Sequence, residues 1–343
     1  MELDKLNKLI DFCDEPKNSD LIKLSVIITS RAESWPVLAM TLASVQEEAI
    51  AATSSIGGKS WECLVIFNGL QNEDSEGEDR FKESHFRQYG NFRYVRTNVP
   101  SSSVARGIGV YKAVGKYVYI GDSHIIVGRN CFAVLMDTHH RLESCDIPIG
   151  ILHSSLGWMS GVHNIDLCDH YTPKLKEKFW GNYSKSKIEE PHRICMKGTS
   201  FLMLRNYAME IGLWNLNFTP YGGNEPYLNL KTWRFGYEVW VDPSAYIWHL
   251  AYQRNYSWTN DGFWFNQMLA AYTIGGDRWL ENQYNNYVNQ LSSKHSGATL
   301  DRYLSRLKEI RDEVVTKGKE DMEWINNRSK YTLDELIAKY NWE

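Results

Sequence analysis

The sequence lacks several features that define common structural classes. It has only 6 cysteines among 343 residues, and none of them forms a C-x-x-C pair. This scatter excludes a zinc ribbon, a redox dithiol and a disulfide framework. No stretch approaches about 20 uninterrupted apolar residues, so we expect no membrane span. The first 20 residues carry mixed charge and no long apolar run, so we expect no signal peptide and a cytoplasmic location, in a cell or a virus-infected host cell.

A strong excess of one charge is also missing. The net charge of −4 excludes a polyanion-binding surface that works through overall charge, although a local basic groove is compatible with it. Aromatic residues, in contrast, are abundant, with 13 Trp and 20 Tyr. Such side chains fill cores and also hold flat ligands. A chain of this length corresponds to roughly two domains, or to one large α/β domain with an appendage.

Buried strands alternate with helices in the first third of the chain. The predicted strands cover 21–30, 61–69, 92–98 and 116–122, with helices over 34–52 and within 99–115. This alternation is typical of a doubly wound α/β sheet. We predict a short amphipathic helix within 1–20 and an acidic loop over 71–80. Strand and helix signals return over 198–250, and the pattern is helical from about 262; residues 125–195 give no clear pattern.

Asp122, Ser123 and His124 come directly after KYVYIG, at the end of the predicted strand 116–122. Residues two apart in extended chain point the same way, so Asp122 and His124 can face one ion. His249, at the end of a later predicted strand, is a third candidate ligand. A carboxylate with imidazoles suits Mn²⁺ or a similar ion better than Ca²⁺. An ordinary loop histidine is the alternative interpretation of His124, because short D-x-H strings are frequent.

Five segments occur in the order of the motifs of GT-A glycosyltransferases. They are SVIITSRAESWPVLAMTLASV, VARG with GKYVYIGDSH, GTSFLMLRNYAMEIGLWN, TPYGGNEPYLNLKTWRFG and VDPSAYIWH. Over about residues 21–255 the chain resembles family 2 generally and the polypeptide N-acetylgalactosaminyltransferases in particular. The resemblance implies an α/β, Rossmann-like GT-A mixed sheet flanked by helices. The implied regions are an N-terminal helix at 1–20, a GT-A domain at 21–260 with a nucleotide-binding half (about 21–125) and an acceptor half (about 195–260), and a C-terminal helical region at 261–343.

The resemblance also implies a role for each matching residue. Asp122, His124 and His249 match metal ligands, which implies Mn²⁺ or Mg²⁺ as cofactor and a UDP-sugar as donor. The positions that match nucleotide or donor-sugar contacts are Thr29, Arg31, Glu33, Asn68, Arg106, Gly198 and Thr199. The positions that match the acceptor side and the catalytic loop are Trp214, Gly222, Gly223, Asn224 and Glu225, with Asn224 and Glu225 as the catalytic candidates. Tyr252, Arg254, Tyr256 and Trp258 fall where the family places a loop that closes over the donor.

Several alternatives stay open. The family's Gly-Gly-Glu-Asn is Gly-Gly-Asn-Glu here, so Glu225 is displaced from the usual position. An inverting enzyme needs a base such as Glu225, whereas a retaining enzyme lets the leaving phosphate take the acceptor proton. The metal set resembles that of the retaining enzymes, and we expect retention. The acceptor is a glycan, a protein or a hydroxymethylated DNA base of a phage-type pathway. The rival hypothesis is a catalytically inactive nucleotide-sugar-fold binding protein, which the displaced Glu225 favours.

Overall fold

The computed structural model describes most of the chain. The described residues are 3–16, 22–54, 60–70, 73, 75–159, 169–172, 179, 182–185, 190–195, 198, 200–250 and 259–342. Among them, no helix has the length and apolar character needed to cross a membrane.

A ten-stranded mixed sheet forms the centre of the described molecule. The strands are β1 (Ile10–Cys13), β2 (Leu24–Ser30), β3 (Trp61–Phe67), β4 (Phe92–Thr97), β5 (Tyr117–Asp122), β6 (Ile125–Val127), β7 (Ile149–Met159), β8 (Asp169–Thr172), β9 (Asn182–Lys185), β10 (His192–Arg193), β11 (Phe201–Leu204) and β12 (Glu238–Leu250). The sheet order is β1-β4-β3-β2-β5-β11-β7-β12-β10, with β6 paired to β12. Strands β8 and β9 form a separate two-stranded sheet.

Four central strands explain why the first third of the chain is so apolar. Strands β4, β3, β2 and β5 are parallel neighbours. Every residue of β2 and β3 is buried, because helices cover both faces of the sheet. From β2 the chain steps outward through β3 and β4 and then returns to the other side of β2 as β5. This reversal places a topological switch point between β2 and β5, where open α/β sheets bind ligands.

Helices cover the two faces of the sheet unequally. They are α1 (Leu3–Asn7), α2 (Trp35–Thr53), α3 (Glu76–Glu83), α4 (His85–Gln88), α5 (Ser102–Lys112), α6 (Cys131–Ser144), α7 (Arg205–Glu210), α8 (Asn224–Arg234), α9 (Asn260–Gly275), α10 (Asp277–Ser292), α11 (Gly297–Arg328) and α12 (Leu333–Tyr340). One core lies under α2, α3, α4 and α6. The other lies under α1, α5 and α7 to α12, so the C-terminal helices share a core with the sheet.

The architecture confirms the predicted class, a mixed α/β sheet flanked by helices with a C-terminal helical region. The predicted helix within 1–20 is wrong beyond its first turns. Helix α1 ends at Asn7, and Ile10–Cys13 forms strand β1, antiparallel to β4. In this pairing Ile10 lies opposite Thr97 and Cys13 opposite Val95. Just before the strand, the Thr97 hydroxyl donates to the Leu9 carbonyl at 2.6 Å. The acidic loop predicted over 71–80 is also corrected, since α3 begins at Glu76.

Candidate metal centre and donor site

The candidate metal centre lies at the carboxyl ends of β2 and β5. In the parallel pairing of these strands Thr29 lies opposite Asp122. Strand β6 follows immediately and pairs antiparallel with β12, with Ile125 opposite His249. The backbone amide of Leu250 donates to the carbonyl of His124 at 3.0 Å. This pairing brings a histidine from the end of β12 next to the histidine that follows β5.

Three side-chain atoms converge at this point. The Nε2 atoms of His124 and His249 are 3.1 Å apart. The Asp122 Oδ2 atom lies 3.8 Å from the first and 3.6 Å from the second. Both histidines are buried, at 4% and 7% exposure. Within the described part of the chain this trio is a group of ligand atoms close enough to hold one metal ion.

Glu33 orients one of the candidate ligands. Its Oε2 atom lies 3.1 Å from His124 Nδ1 and accepts from the Ser123 hydroxyl at 2.9 Å. An imidazole that donates from Nδ1 keeps the lone pair of Nε2 for a cation, and carboxylate partners commonly fix metal-ligating histidines in this way. Ala32, just before Glu33, has φ of 48°, a conformation rare for non-glycine residues and common at functional sites.

Arg106 contacts both a candidate metal ligand and a residue of the candidate catalytic loop. Its guanidinium donates to Asp122 Oδ1 at 2.8 Å and lies 3.6 Å from Glu225 Oε1. Burial alone would lower the pKa of Arg106, but the two carboxylates outweigh it and raise that pKa. Burial alone would raise the pKa of Asp122, but its hydrogen bond with His249 and the charge of Arg106 hold that pKa well below its usual range. Asp122 is therefore a carboxylate, the form that binds cations.

The catalytic-loop candidates sit at the start of α8. Gly222 and Gly223 have φ of 93° and 76°, which lets the chain turn sharply before the helix. Asn224 and Glu225 form the first turn of α8, and the Asn224 amide donates to the Ser102 hydroxyl at 3.2 Å. The structure therefore brings Glu225 to Arg106 and Asn224 to the start of α5, as neighbours of the candidate metal ligands.

The other residues predicted to contact the nucleotide or the donor sugar are not all next to the candidate metal ligands. The Arg31 guanidinium binds Glu73, with Nε 2.9 Å from Oε2, and donates to the Pro100 carbonyl at 3.2 Å. Asn68 is buried directly after β3, where its backbone N–H donates to the Ser30 carbonyl. Gly198 is half-buried. Thr199 and the predicted lid residues Tyr252, Arg254, Tyr256 and Trp258 lie outside the described residues.

Trp214 is a correction to the sequence analysis. Its side chain is 2% exposed and packs in the core, with its ring 6.4 Å from that of Phe201. A side chain so deeply buried is part of the packing and presents no surface to an acceptor or a nucleotide. The aromatic that does reach the surface near the loop is Tyr221, at 42% exposure.

Asn266, which the sequence did not single out, anchors the candidate catalytic loop. Asn266 is fully buried in α9; it accepts from the Thr219 amide and donates to the Tyr221 carbonyl, each at 2.8 Å. A Cβ on Gly223 would lie 2.5 Å from the Asn266 carbonyl oxygen, so only glycine lets the loop approach α9 this closely. The signal was faint: a polar Asn266–Gln267 pair among the apolar residues of α9.

The fold is that of an open α/β protein, with a candidate metal site of one carboxylate and two histidines at the topological switch point of its sheet. The sequence profile described as glycosyl transferase family 2 matches residues 25–210. This is more than half of the chain, and the chain belongs to that family.

One solved structure shows how far the fold likeness extends. It is titled "Crystal structure of GalNAc-T7 with UDP, GalNAc and Mn2+" and superposes with a TM-score of 0.59 at 19% sequence identity. The match covers 94% of this chain but only 59% of that one. The likeness confirms the predicted GT-A fold. No curated protein sequence matches the chain.

Proposed function

We propose that the protein is a divalent-metal-dependent glycosyltransferase that uses a UDP-sugar as donor. The observation that carries this proposal is the convergence of Asp122, His124 and His249 at the β2–β5 switch point. The family membership supports glycosyl transfer. The similar structure of GalNAc-T7 with UDP and Mn²⁺ supports the type of donor and the type of ion.

The donor set fits a manganese or magnesium ion. Ligand atoms about 2.1 Å from one ion lie about 3.0 to 3.4 Å apart in octahedral or tetrahedral geometry. The separations of 3.1, 3.6 and 3.8 Å are close to this range. Two nitrogens and one carboxylate oxygen favour Mn²⁺ over the harder Ca²⁺. Asp122, His124 and His249 would hold the ion.

A cation held there supplies Lewis-acid stabilisation of a departing diphosphate. The chain's own residues provide orientation and charge. Glu33 fixes the ring of His124, and Arg106 holds the Asp122 carboxylate in place. The guanidinium of Arg106 adds a fixed positive charge to this buried edge, where phosphate oxygens gain most from it.

Retention is the stereochemical outcome that we propose. Glu225, the local carboxylate expected to act as a base under inversion, faces the guanidinium of Arg106 at 3.6 Å. A retaining transfer needs no protein base there, because the leaving phosphate oxygen accepts the acceptor proton. Proton NMR of slow UDP-sugar hydrolysis tests this with water as acceptor: an α-linked donor first releases the α-anomer under retention. Release of the β-anomer, together with loss of hydrolysis in Glu225→Gln, would show inversion.

Calorimetry with UDP, with and without Mn²⁺, tests the proposed function. We expect Mn²⁺ to strengthen UDP binding in the wild type and to have no such effect in His124→Ala. His140→Ala, an exposed histidine on α6, is the matched control. UDP binding that is independent of the metal and unchanged in His124→Ala would rule out the metal assignment. Metal-dependent binding without turnover of any UDP-sugar would instead favour a binding protein.

A further inference from the structure

A cleft opens beside the candidate catalytic loop, between the turn at 219–221 and the helices α9 and α11. Its volume is about 330 Å³, within the range of small-molecule sites. It is lined by the turn before the Gly-Gly pair, the start of α9 and one face of α11. The lining residues used below are Tyr221, Phe263, Asp261, Arg306, Glu313 and Lys317.

Two aromatic rings form one wall of the cleft. The rings of Tyr221 and Phe263 are stacked, with centroids 6.1 Å apart and planes inclined by 26°. Tyr221 is one of the few exposed large aromatic residues among those described, at 42%. A Cβ on Gly222 would lie 2.7 Å from the Phe263 ring, so glycine lets the loop pass directly against it. Exposed aromatic faces next to polar groups suit ligands with both apolar and hydroxyl surfaces.

The charges at the rim are balanced. Arg306 binds Asp261 at 2.8 Å on one side, and Lys317 binds Glu313 at 2.7 Å on the other. These pairs offer both donors and acceptors without a net charge. A single-stranded nucleic acid would favour a positively charged groove, because its backbone phosphates need neutralising. The balanced rim instead suits a neutral ligand rich in hydroxyl groups.

The cleft lies within reach of the reaction centre. Tyr221 precedes Glu225 by four residues, which even a fully extended chain could separate by no more than about 14 Å. The turn at Gly222 and Gly223 shortens that distance, and Asn266 ties the Tyr221 carbonyl to α9. The cleft wall at Tyr221 therefore lies within about 14 Å of Glu225, whose carboxylate faces Arg106.

We propose that this cleft is an acceptor subsite for a neutral saccharide, which stacks on Tyr221 and Phe263 and hydrogen-bonds to the ion pairs at the rim. The inference rests on the proposed glycosyltransferase function and names its acceptor as a glycan, in preference to a protein or a DNA base. Much of the subsite comes from α9 and α11, beyond residues 25–210 that match the family profile.

Saturation-transfer NMR on the full chain tests the subsite. The probes are methyl glycosides and disaccharides of glucose, galactose and N-acetylhexosamines, with a ten-residue thymidine oligonucleotide for comparison. We expect saccharide signals from the wild type and an affinity about tenfold lower in Tyr221→Ala, because the stacking face is removed. Tyr221→Phe should keep that affinity. Tyr89→Ala, at an exposed tyrosine remote in sequence, is the matched control.

Each variant is also titrated with UDP and Mn²⁺, which shows whether it is folded. These titrations distinguish a failure of the subsite from a failure of the proposed function. If UDP and Mn²⁺ bind but no saccharide gives a signal that depends on Tyr221, the subsite is wrong and the proposed function stands. If the oligonucleotide binds and Tyr221→Ala weakens it, the acceptor is a nucleic acid and the saccharide proposal is overturned. If UDP and Mn²⁺ fail to bind, the proposed function itself fails.

Discussion

Among single residues, Glu33 shows how a buried group acts through another. Its side chain is 4% exposed, and one carboxylate oxygen lies close to both Ser123 and His124. The carboxylate therefore fixes the orientation of the candidate metal ligand His124, which lies 91 residues further along the chain. Such partners set metal affinity even though they do not touch the metal.

Replacing this carboxylate should weaken metal binding. We expect Glu33→Gln to lower Mn²⁺ affinity, measured by calorimetry in the presence of UDP, by about 10- to 100-fold. The physical reason is that the amide is a weaker acceptor for the Nδ1–H of His124. Glu47→Gln, at an exposed position on α2, should leave the affinity unchanged. Equal affinities for both variants and the wild type would mean that Glu33 has no positioning role.

His139 is a buried neutral histidine with a consequence for acid stability. It is 1% exposed, its ring packs edge-on against Tyr117, and burial lowers its pKa from 6.5 to about 4. Between these values the unfolded chain binds a proton that the folded chain does not. Stability should therefore fall as the pH drops from 6.5 to about 4, by up to about 3 kcal/mol from this residue.

His139→Phe should remove that part of the pH dependence, because phenylalanine keeps the ring and does not titrate. Urea denaturation at pH 7.0 and 5.0 measures it, through the difference between the two free energies of unfolding. His140→Gln, at the exposed neighbouring position, should keep the wild-type difference. A wild-type pH slope in His139→Phe would contradict the assignment.

The sequence was most informative about the position of residues at the ends of strands. Asp122 ends strand β5 and His124 lies two residues further on. Because the carboxyl ends of strands face ligands, their convergence was predictable. Trp214 was misplaced because an aromatic side chain fits a core as well as a binding surface, and sequence does not distinguish the two. Asn266 was missed because its partners lie more than 40 residues away.

At the scale of elements, strand β7 shows why residues 125–195 gave no pattern. Its interior carries His153, Ser154 and Ser155, all fully buried. Their hydrogen bonds are long-range: His153 Nε2 lies 2.9 Å from Asn229 Oδ1, and the Ser155 hydroxyl donates to the Pro243 carbonyl at 2.8 Å. Periodicity identifies strands through apolar side chains. A strand with buried polar residues therefore becomes visible only when its distant partners are known.

Helix α3 forms where the sequence predicted part of an acidic loop. Gly77 lowers its helix propensity, yet three acidic residues in the first turn complement the helix dipole. A Cβ at Gly77 would lie 2.2 Å from the Glu33 carbonyl oxygen. Glycine here allows α3 to pack against the segment that carries Glu33.

Gly77→Ala should therefore lower both the stability and the Mn²⁺ affinity, because α3 or Glu33 has to move. The matched control is Gly107→Ala in α5, where the nearest atom to the new Cβ is 3.9 Å away. That control should stabilise the protein by about 0.5–1 kcal/mol. Thermal denaturation and Mn²⁺ calorimetry measure the two effects. Stabilisation by both substitutions would contradict the contact between α3 and Glu33.

At the scale of the whole molecule, the C-terminal helices belong to the same core as the sheet. One cluster of buried residues contains Ile27 and Ile66 from the parallel strands together with Leu307 and Ile310 from α11. Tyr227 in α8 also donates to Asp321 in α11 at 2.8 Å. A shared core predicts that the sheet and the helices unfold together.

Leu307→Ala should destabilise the entire molecule by about 2–5 kcal/mol, because the side chain is fully buried. Urea transitions followed by tryptophan fluorescence and by far-ultraviolet circular dichroism should move together. Lys308→Ala, at the exposed neighbouring position, should change stability by less than about 0.5 kcal/mol. A transition that splits, with only the helical part shifted, would show that the helices form an independent unit.

The two ends of the large sheet bear on how the protein behaves at high concentration. An open sheet offers unpaired backbone groups at its edges, where other chains can add as strands and start aggregates. The described sheet ends in β1, of four residues, and in β10, of two. Both are shorter than the six- or seven-residue segments typical of steric zippers. A sheet of ten strands thus presents little edge for intermolecular pairing, which favours a protein that stays dispersed when concentrated.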